Sequence, residues 1–158
     1  MPAPLVHLRP TQEADLPHLY AFQLDAEACR LAAFVPAENA DQVAYLAKYR
    51  RFLRTPTIHM QSILVDGELA GSIAKFEVEG EAELTYWLDR RFWGRGVATA
   101  ALRQFLQLES RRPLHGRVAF DNSGSRKVLE NCGFAPIGTD TGFAPARQTE
   151  VEEIIYQL

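Results

Sequence analysis

The pattern of apolar and polar positions divides the chain into short strands and helices in mixed order. Residues 5–9 alternate apolar and polar side chains, as a half-buried strand does, and Pro10 ends this segment. Thr11 is then a candidate N-cap for a helix whose apolar residues recur at helical spacing over 16–24. A second amphipathic helix is predicted over 39–54. The chain therefore opens with a strand followed by helices.

The middle of the chain predicts an antiparallel meander of three strands. Two apolar or alternating runs, 57–65 and 68–78, are separated by Asp66-Gly67. This dipeptide between two such runs is a strong sequence signal for a hairpin. A second polar turn at 79–81 leads into the third strand, 82–88.

The remaining elements alternate between helix and strand. Helical spacing is found over 96–108 and, after a strand at 114–120, over 125–131, which Gly133 closes. A loop marked by glycine and proline is expected through 141–145, and a last strand over 149–157.

These elements together predict the fold class. A right-handed crossover makes the strands that end at Leu88 and begin at Leu114 parallel neighbours. We therefore expect a single α+β domain over 1–158. Its mixed sheet has an antiparallel N-terminal half and a parallel central strand pair, flanked by helices.

Composition narrows the possible functions. The chain has 158 residues, 47% of them hydrophobic and 23% charged, with a formal net charge of −3. The absence of a basic excess argues against nucleic acid as a partner, and no apolar run is long enough to span a membrane. Cys29 and Cys132 are expected to be free thiols, and the four histidines lie on separate elements, so no metal is predicted. The expected location is the cytoplasm.

One stretch carries a candidate chemistry. In RRFWGRGVATAAL, residues 90–102, Gly94 and Gly96 leave the backbone bare at the start of a helix, where free N–H groups favour an anion. Arg91 and Arg95 would add guanidinium donors. A tight turn without a ligand explains the glycines equally well. A dinucleotide loop would need a third glycine where Thr99 stands, and the Gly-Lys-Ser/Thr of a triphosphate loop is absent.

Two motifs resemble those of the GNAT superfamily of acyl-CoA-dependent N-acetyltransferases. Residues 91–99, RFWGRGVAT, are similar to the family's pyrophosphate loop, and residues 122–134, NSGSRKVLENCGF, to its second CoA-contacting helix. The element order matches over nearly the whole chain. The Tyr-Trp-Leu before the loop most resembles the RimJ/RimL-like branch, whose members acetylate protein N-termini, amino sugars, polyamines or other amines.

The resemblance implies a site for acetyl-CoA as cosubstrate. Arg91 and the loop backbone would hold the pyrophosphate, and the pantetheine arm would lie along the strand that ends at Leu88. Asn122 would hydrogen-bond the pantetheine amides, although it could equally be a helix cap, and Arg126 or Lys127 would reach the adenosine phosphate. The loop residues concerned are Gly94, Arg95, Gly96, Val97, Ala98 and Thr99.

The resemblance also implies direct attack of a neutral amine on the thioester, with a base and an acid nearby. Glu83 stands where several members place a carboxylate base, though a solvated strand charge is the alternative. The tyrosine acid of other members falls at Leu129 here, so it is absent. Ser125, on the same helix face, is the candidate replacement, and helix capping is its alternative interpretation.

Three functions stay open on the sequence. The first is transfer of acetyl from acetyl-CoA to a primary amine, on a protein or peptide N-terminus or a small molecule. The second is a catalytically degenerate module that binds CoA as a sensor or scaffold. The third is a domain that binds no CoA. The segments expected to form the acceptor pocket, 30–36 and 139–145, show no charge pattern that selects an amine. Dimers are common in the family that the sequence resembles, so a homodimer is possible.

Overall fold

The computed structural model describes residues 3–158, which form one seven-stranded sheet of order β1-β2-β3-β4-β5-β7-β6. The strands are β1 (Val6–Pro10), β2 (His59–Val65), β3 (Glu68–Val78), β4 (Glu81–Leu88), β5 (Leu114–Ala119), β6 (Ala135–Ala144) and β7 (Thr149–Gln157). The helices are α1 (Leu16–Phe22), α2 (Ala26–Ala32), α3 (Gln42–Leu53), α4 (Val97–Leu108) and α5 (Ser123–Asn131). Met1 and Pro2, with which the expected domain begins, lie outside the described residues.

The sheet is covered on both faces. On one face α4 contributes a fully apolar stripe to the main core, which also receives Leu84 and Leu88 of β4. On the other face Leu16 and Leu19 of α1, with side chains of α3, pack on β2 and β3. Alternate residues of β4 therefore point to opposite faces, as the sequence predicted.

The two central strands pair over a short distance only. β4 and β5 run parallel and are paired through three residue pairs, of which Leu84 with Gly116 is the last. Beyond that pair β4 continues along β3 as far as Leu88, and β5 continues along β7 as far as Ala119. The sheet consequently opens into a gap between the second half of β4 and the end of β5. The backbone groups that face the gap are not used by the neighbouring strand.

The expected fold class is confirmed. The mixed α+β sheet has antiparallel strands β1 to β4, the parallel pair β4 and β5, and helices on both faces. The hairpin at Asp66-Gly67 is also present, with φ of 50° and 83° at these two residues. Positive φ at both positions is what a tight hairpin turn requires.

The prediction of a loop over residues 141–145 is wrong. Residues 135–144 form β6, which pairs antiparallel with β7 and contains a register shift between Pro136 and Gly138. β6 is the edge strand, and nearly all its residues are exposed, so it lacks an apolar face. Its polar, glycine-containing sequence resembles a loop because only its last residue, Ala144, is buried in a core cluster.

The helical N-termini also differ from the prediction. Gln12, not Thr11, precedes a short 3-10 turn that leads into α1. α3 begins at Gln42 because the Asp41 carboxylate accepts a hydrogen bond from the Ala44 N–H and caps it. Helix α2 was not predicted. It is capped by Asp25, whose carboxylate accepts hydrogen bonds from two backbone N–H groups of its first turn.

Candidate active site

The glycine loop connects β4 to α4 through two left-handed residues. Gly94 and Gly96 have φ of 72° and 74°, a conformation that a residue with a Cβ adopts only at a cost. Gly96 is the N-cap of α4 and has no side chain, so no capping hydrogen bond forms there within residues 3–158. A Cβ built at either glycine would meet no atom within 4 Å. The loop therefore leaves open space in front of the first N–H groups of a 12-residue helix, which is suited to an anion.

The arginines of the loop point away from that space. The Arg91 guanidinium donates to Asp89 at 2.8 Å and to Glu68 at 3.0 Å, which raises the pKa of Arg91 further above its ordinary value. The Arg95 guanidinium lies 5.7 Å from the centre of the Phe92 ring. An anion held in that space would thus contact mainly backbone groups.

A tryptophan fixes the loop to the end of β4. The Trp93 indole N–H donates to the Leu88 carbonyl at 2.9 Å, and Trp93 packs against the main core. The preceding Trp87 lies on the other face and donates to the Phe22 carbonyl of α1 at 3.2 Å. Both tryptophans therefore have packing roles, as expected, and they set the position of the strand end that borders the gap.

Helix α5 begins on the opposite side of the gap. Asn122 is its N-cap: the side-chain carbonyl accepts the Ser125 N–H at 3.3 Å, and the amide donates to the Leu31 carbonyl of α2 at 3.3 Å. The capping interpretation of Asn122 is thus confirmed. Arg126 donates to the Tyr156 hydroxyl and the Phe120 carbonyl, whereas Lys127 lines the cavity described below.

Ser125 does not act as a cap. Its hydroxyl is hydrogen-bonded to the hydroxyl of Tyr86, which comes from β4 just beyond the last residue paired with β5. Burial raises the pKa of Tyr86 to about 12, and the hydrogen bond with Ser125 offsets only part of that effect. Tyr86 is therefore protonated at neutral pH and can donate a proton toward the gap.

Leu129 occupies the position where the resemblance to the GNAT superfamily implies a tyrosine. It is buried, and a Cβ added to Gly116 would lie 3.1 Å from its side chain. Leu129 thus packs over the last paired residue of β5. In this chain a tyrosine hydroxyl enters the same region from β4 instead.

Glu83 belongs to a cluster of charged groups at the closed end of the gap. Its carboxylate accepts from the Arg117 Nε at 3.3 Å, and the same guanidinium lies 2.8 Å from Glu153 and 3.6 Å from Asp140. One positive charge is shared by three carboxylates, so the cluster keeps a negative excess. Such an excess attracts an ammonium group, and a carboxylate there can accept its proton.

A cavity of about 1310 Å³ joins these parts, from the glycine loop through the gap to the face beneath α1 and α3. Ten of the twelve site residues predicted from the sequence line it, and Arg91 and Arg95 do not. The ten are Glu83, Leu88, Gly94, Gly96, Val97, Ala98, Thr99, Asn122, Ser125 and Lys127.

The sequence reasoning missed Tyr86 and Arg117. Tyr86 shares a strand face with Leu84 and Leu88, which made it look like a core residue. Its hydroxyl was the available signal, because a buried tyrosine needs a polar partner. Arg117 lies on β5, and only the parallel pairing of β4 with β5 brings it to Glu83.

The profile of the acetyltransferase (GNAT) domain matches residues 6–135 of this chain. The chain belongs to the GNAT acetyltransferase family. The match includes β1 to α5 and the start of β6, and so contains the loop, the gap and the residues around them. The resemblance read from the two motifs is confirmed.

Individual GNAT relatives agree with this assignment. YdaF of Bacillus subtilis (strain 168), which carries the provisional name of a ribosomal N-acetyltransferase, is 35% identical over 83 residues, or 48% of this chain. That match spans 45% of YdaF, so less than half of the relative is matched.

Two solved GNAT structures have the same fold. The ribosomal-protein-alanine N-acetyltransferase of Brucella melitensis has a TM-score of 0.82 at 19% identity, covering 96% of this chain and 98% of that one. Mycobacterium smegmatis RimJ, solved in complex with CoA-disulfide, has a TM-score of 0.79 at 22% identity, covering 97% and 81%.

Two further findings concern the arrangement of side chains and helices in residues 3–158. No group of three or more His, Cys, Asp or Glu side chains is placed to hold a metal ion there. In the same part of the chain no helix is both long and apolar enough to cross a membrane.

Proposed function

We propose that this protein is an N-acetyltransferase that transfers the acetyl group of acetyl-CoA directly to a primary amine. The observation that carries the proposal is the gap between β4 and β5. It runs from an open, backbone-lined anion site at Gly94 and Gly96 to a hydroxyl pair and a carboxylate cluster. Acyl transfer from a CoA thioester to an amine requires a site for the CoA phosphates, a base for the amine proton and hydroxyl donors near the thioester.

In this proposal the first N–H groups of α4, from Val97 to Thr99, hold the pyrophosphate. The pantetheine arm lies in the gap beside Thr85 to Leu88 and pairs with the free backbone groups of β4, as an added strand would. Asn122 borders the arm while capping α5. Lys127, rather than Arg126, is available to the adenosine phosphate, because Arg126 is engaged with Tyr156.

The chemical step follows from the position of the two polar clusters. Glu83 accepts the proton of the amine, directly or through water, as the nitrogen attacks the thioester carbonyl. The Tyr86 and Ser125 hydroxyls lie on the other side of the gap and donate toward the leaving sulfur. This hydroxyl pair supports catalysis over the degenerate alternative, which rested on the missing tyrosine at Leu129.

The names of the relatives suggest the acceptor class. YdaF and the Brucella melitensis protein are both named for ribosomal proteins, which supports a protein or peptide N-terminus as acceptor. The proposal also places the reaction in the cytoplasm, which suits the two free cysteines, Cys29 and Cys132. The resemblance also leaves a homodimer open, which sedimentation equilibrium tests.

The deciding experiment is a calorimetric titration with acetyl-CoA of the wild type and of Gly96→Glu. The variant puts a carboxylate where the pyrophosphate is expected, so it should lose binding. Gly80→Glu is the matched control, because Gly80 has φ of 81° and equally open surroundings but lies in a turn outside the cavity. Binding to the wild type and to the control, with loss in the folded Gly96→Glu protein, supports the site. Mass spectrometry with a panel of amines then tests transfer. Absence of wild-type binding would overturn the proposal.

A further inference from the structure

The cavity face beneath α3 carries a row of aromatic rings. Tyr45 and Tyr49 stack with ring centres 4.2 Å apart, Tyr49 contacts Phe52 at 5.0 Å, and Phe52 contacts Phe76 of β3 at 5.1 Å. Tyr45 is buried, stands at the end of the row and also lines the cavity. Tyr49, Phe52 and Phe76 are half-buried and line the cavity. We call these three residues the aromatic wall.

The aromatic wall ends beside the candidate base. Phe76 is the direct antiparallel partner of Glu83, so the two side chains are neighbours on the same face of the sheet. A group that contacts the wall is therefore positioned with one end at Glu83. The wall belongs to the acceptor side of the cavity, opposite the face covered by α4 and α5.

Next to the aromatic wall, the sheet carries short side chains. Thr85 is exposed although β4 is the central strand of seven, and its antiparallel partner on β3 is the small Ala74. The space over Thr85 and Ala74 therefore belongs to the cavity and is bordered by aromatic rings.

The charges around this space are unevenly distributed. Lys48 of α3 lines the cavity, donates to the Asn39 side chain at 2.7 Å and lies 3.9 Å from Glu38, so its charge is paired with these groups. The negative excess of Glu83, Glu153 and Asp140 around Arg117 lies at the gap. A ligand placed here has its cationic or amine end at the gap and its apolar body against the wall.

We propose that the acceptor is a primary amine with a bulky apolar group, aromatic by preference, one or two carbons from the nitrogen. This rests on the proposed acetyltransferase function and specifies its substrate class. Aromatic rings favour flat apolar partners in offset or edge-to-face contact, and burying such a group removes apolar area from water. A polyamine or an amino sugar would instead leave its polar groups against the wall without hydrogen-bond partners. The group can be part of a small arylalkylamine or the first side chain of a peptide.

The test compares kcat/KM for matched amines in the wild type. The panel contains 2-phenylethylamine, ethanolamine and spermidine, and two peptides that differ only in their first residue, Phe-Ala-Ala and Ser-Ala-Ala. We expect the aromatic member of each group to be preferred by about tenfold or more, the discrimination that an apolar pocket provides. Comparison of the two peptides with 2-phenylethylamine distinguishes a peptide source from a small-molecule source.

Variants locate the preference. Phe52→Ala shortens the aromatic wall and should reduce the ratio of kcat/KM between aromatic and polar amines about tenfold. Phe143→Ala is the matched control. Phe143 belongs to the segment 139–145 that the sequence suggested for the acceptor pocket, but it is 55% exposed on β6 and does not line the cavity. If Phe52→Ala does not fold, Thr85→Leu is tested instead. Its larger side chain fills the part of the cavity beside the aromatic wall and should reduce the same ratio. Equal ratios in the variants and the control would overturn the proposal.

A binding measurement separates this proposal from the proposed function. Calorimetric titration of 2-phenylethylamine into the CoA-saturated protein measures the aromatic wall without any chemistry, and saturable binding that Phe52→Ala or Thr85→Leu weakens supports the proposal. Acetyl-CoA binding together with a preference for ethanolamine or spermidine would overturn the substrate class and leave the transferase function standing. Failure to bind acetyl-CoA would overturn the function itself. If the protein binds acetyl-CoA but forms no acetylated product and does not bind 2-phenylethylamine, that result would count against both the transferase function and the substrate class.

Discussion

Tyr86 of β4 and Ser125 of α5 join their hydroxyl groups by a hydrogen bond across the gap in the sheet, although 39 positions separate them in the chain. The pair connects a buried phenol to a hydroxyl at the first turn of a helix. In the proposed mechanism this is the route by which a proton reaches the leaving thiolate.

Tyr86→Phe should lower kcat by about tenfold or more while leaving the affinity for acetyl-CoA almost unchanged, because it removes the phenolic proton and keeps the ring. Ser125→Ala should have a similar effect, and the double variant should be little worse than either, since the two hydroxyls act as a unit. Tyr20→Phe is the control, as its hydroxyl donates to the Ala40 carbonyl outside the cavity. Steady-state kinetics measures all four proteins, and additive losses would argue against a relay.

The pH profile gives a second readout of Tyr86. Because burial raises the pKa of Tyr86 to about 12, the phenol keeps its proton throughout the range in which an acceptor amine deprotonates. The wild-type rate should therefore rise with pH and level off, without a falling limb below about pH 10. A falling limb near neutral pH in a folded protein would assign the acid to another group.

Glu83→Gln should lower kcat/KM by about 100-fold, as expected on removal of a general base, with the dissociation constant of acetyl-CoA unchanged. The loss should shrink as pH rises and the free amine deprotonates by itself. Arg117→Gln distinguishes a base from an ion-pair partner, since it removes the pairing and leaves the carboxylate. Glu152→Gln, on an exposed position of β7, is the control. Wild-type rates in Glu83→Gln would return Glu83 to a structural ion pair.

Gly71→Ala should destabilise the fold and weaken acetyl-CoA binding together. A Cβ at Gly71 would collide with the Trp87 carbonyl oxygen and the Leu88 backbone, where β3 meets the end of β4. Overpacking of this kind costs about 1–3 kcal/mol and would move the strand end that borders the gap. Gly138→Ala, with no atom within 4 Å of the added carbon, should be nearly neutral. Chemical denaturation and calorimetry measure the two effects, and unchanged binding in Gly71→Ala would contradict this prediction.

Asp15→Asn should lower the free energy of unfolding by about 2 kcal/mol at neutral pH. Burial alone would raise the pKa of Asp15, but hydrogen bonds from Arg9, the Gln12 N–H and Ser62 outweigh it and hold that pKa below its ordinary value.

The acid dependence has a definite sign. A lowered pKa in the folded state means that the contribution of Asp15 is complete above its unfolded pKa of about 3.9 and is lost as pH falls through the folded value. Denaturation between pH 2 and 6 should show a shallower acid limb in Asp15→Asn than in the exposed control Glu79→Gln. Parallel limbs would show that Asp15 does not carry this dependence.

Local patterns predicted the elements with an apolar face. The meander of β2 to β4, helix α4 and the parallel β4 and β5 pair all follow from periodicity, turn residues and crossover handedness. β6 was missed because an exposed edge strand has no buried face to leave a pattern. Helix α2 was missed because it is only seven residues long and its cap, Asp25, was not recognised.

For the candidate site too, local features could be predicted from the sequence and contacts between distant elements could not. The glycine loop is local in sequence, so its spacing indicated bare backbone at the start of a helix, although a tight turn without a ligand explained the same glycines equally well. The pairs Tyr86 with Ser125 and Glu83 with Arg117 depend on where two separate strands part, and no local pattern encodes that point. The position of Arg91 also depends on a distant element, since its partner Glu68 comes from β3.

The parting of β4 and β5 after three residue pairs has a consequence for the lifetime of the protein. The seam between the two halves of the sheet is short, and in the proposed binding mode the pantetheine arm fills it with a chain of hydrogen bonds. The cosubstrate then acts as a structural part of the folded enzyme, and mass action links the melting temperature to its concentration. In a cell rich in acetyl-CoA, more of this protein would be bound and folded. In a cell depleted of acetyl-CoA, more of it would unfold and become accessible to proteases.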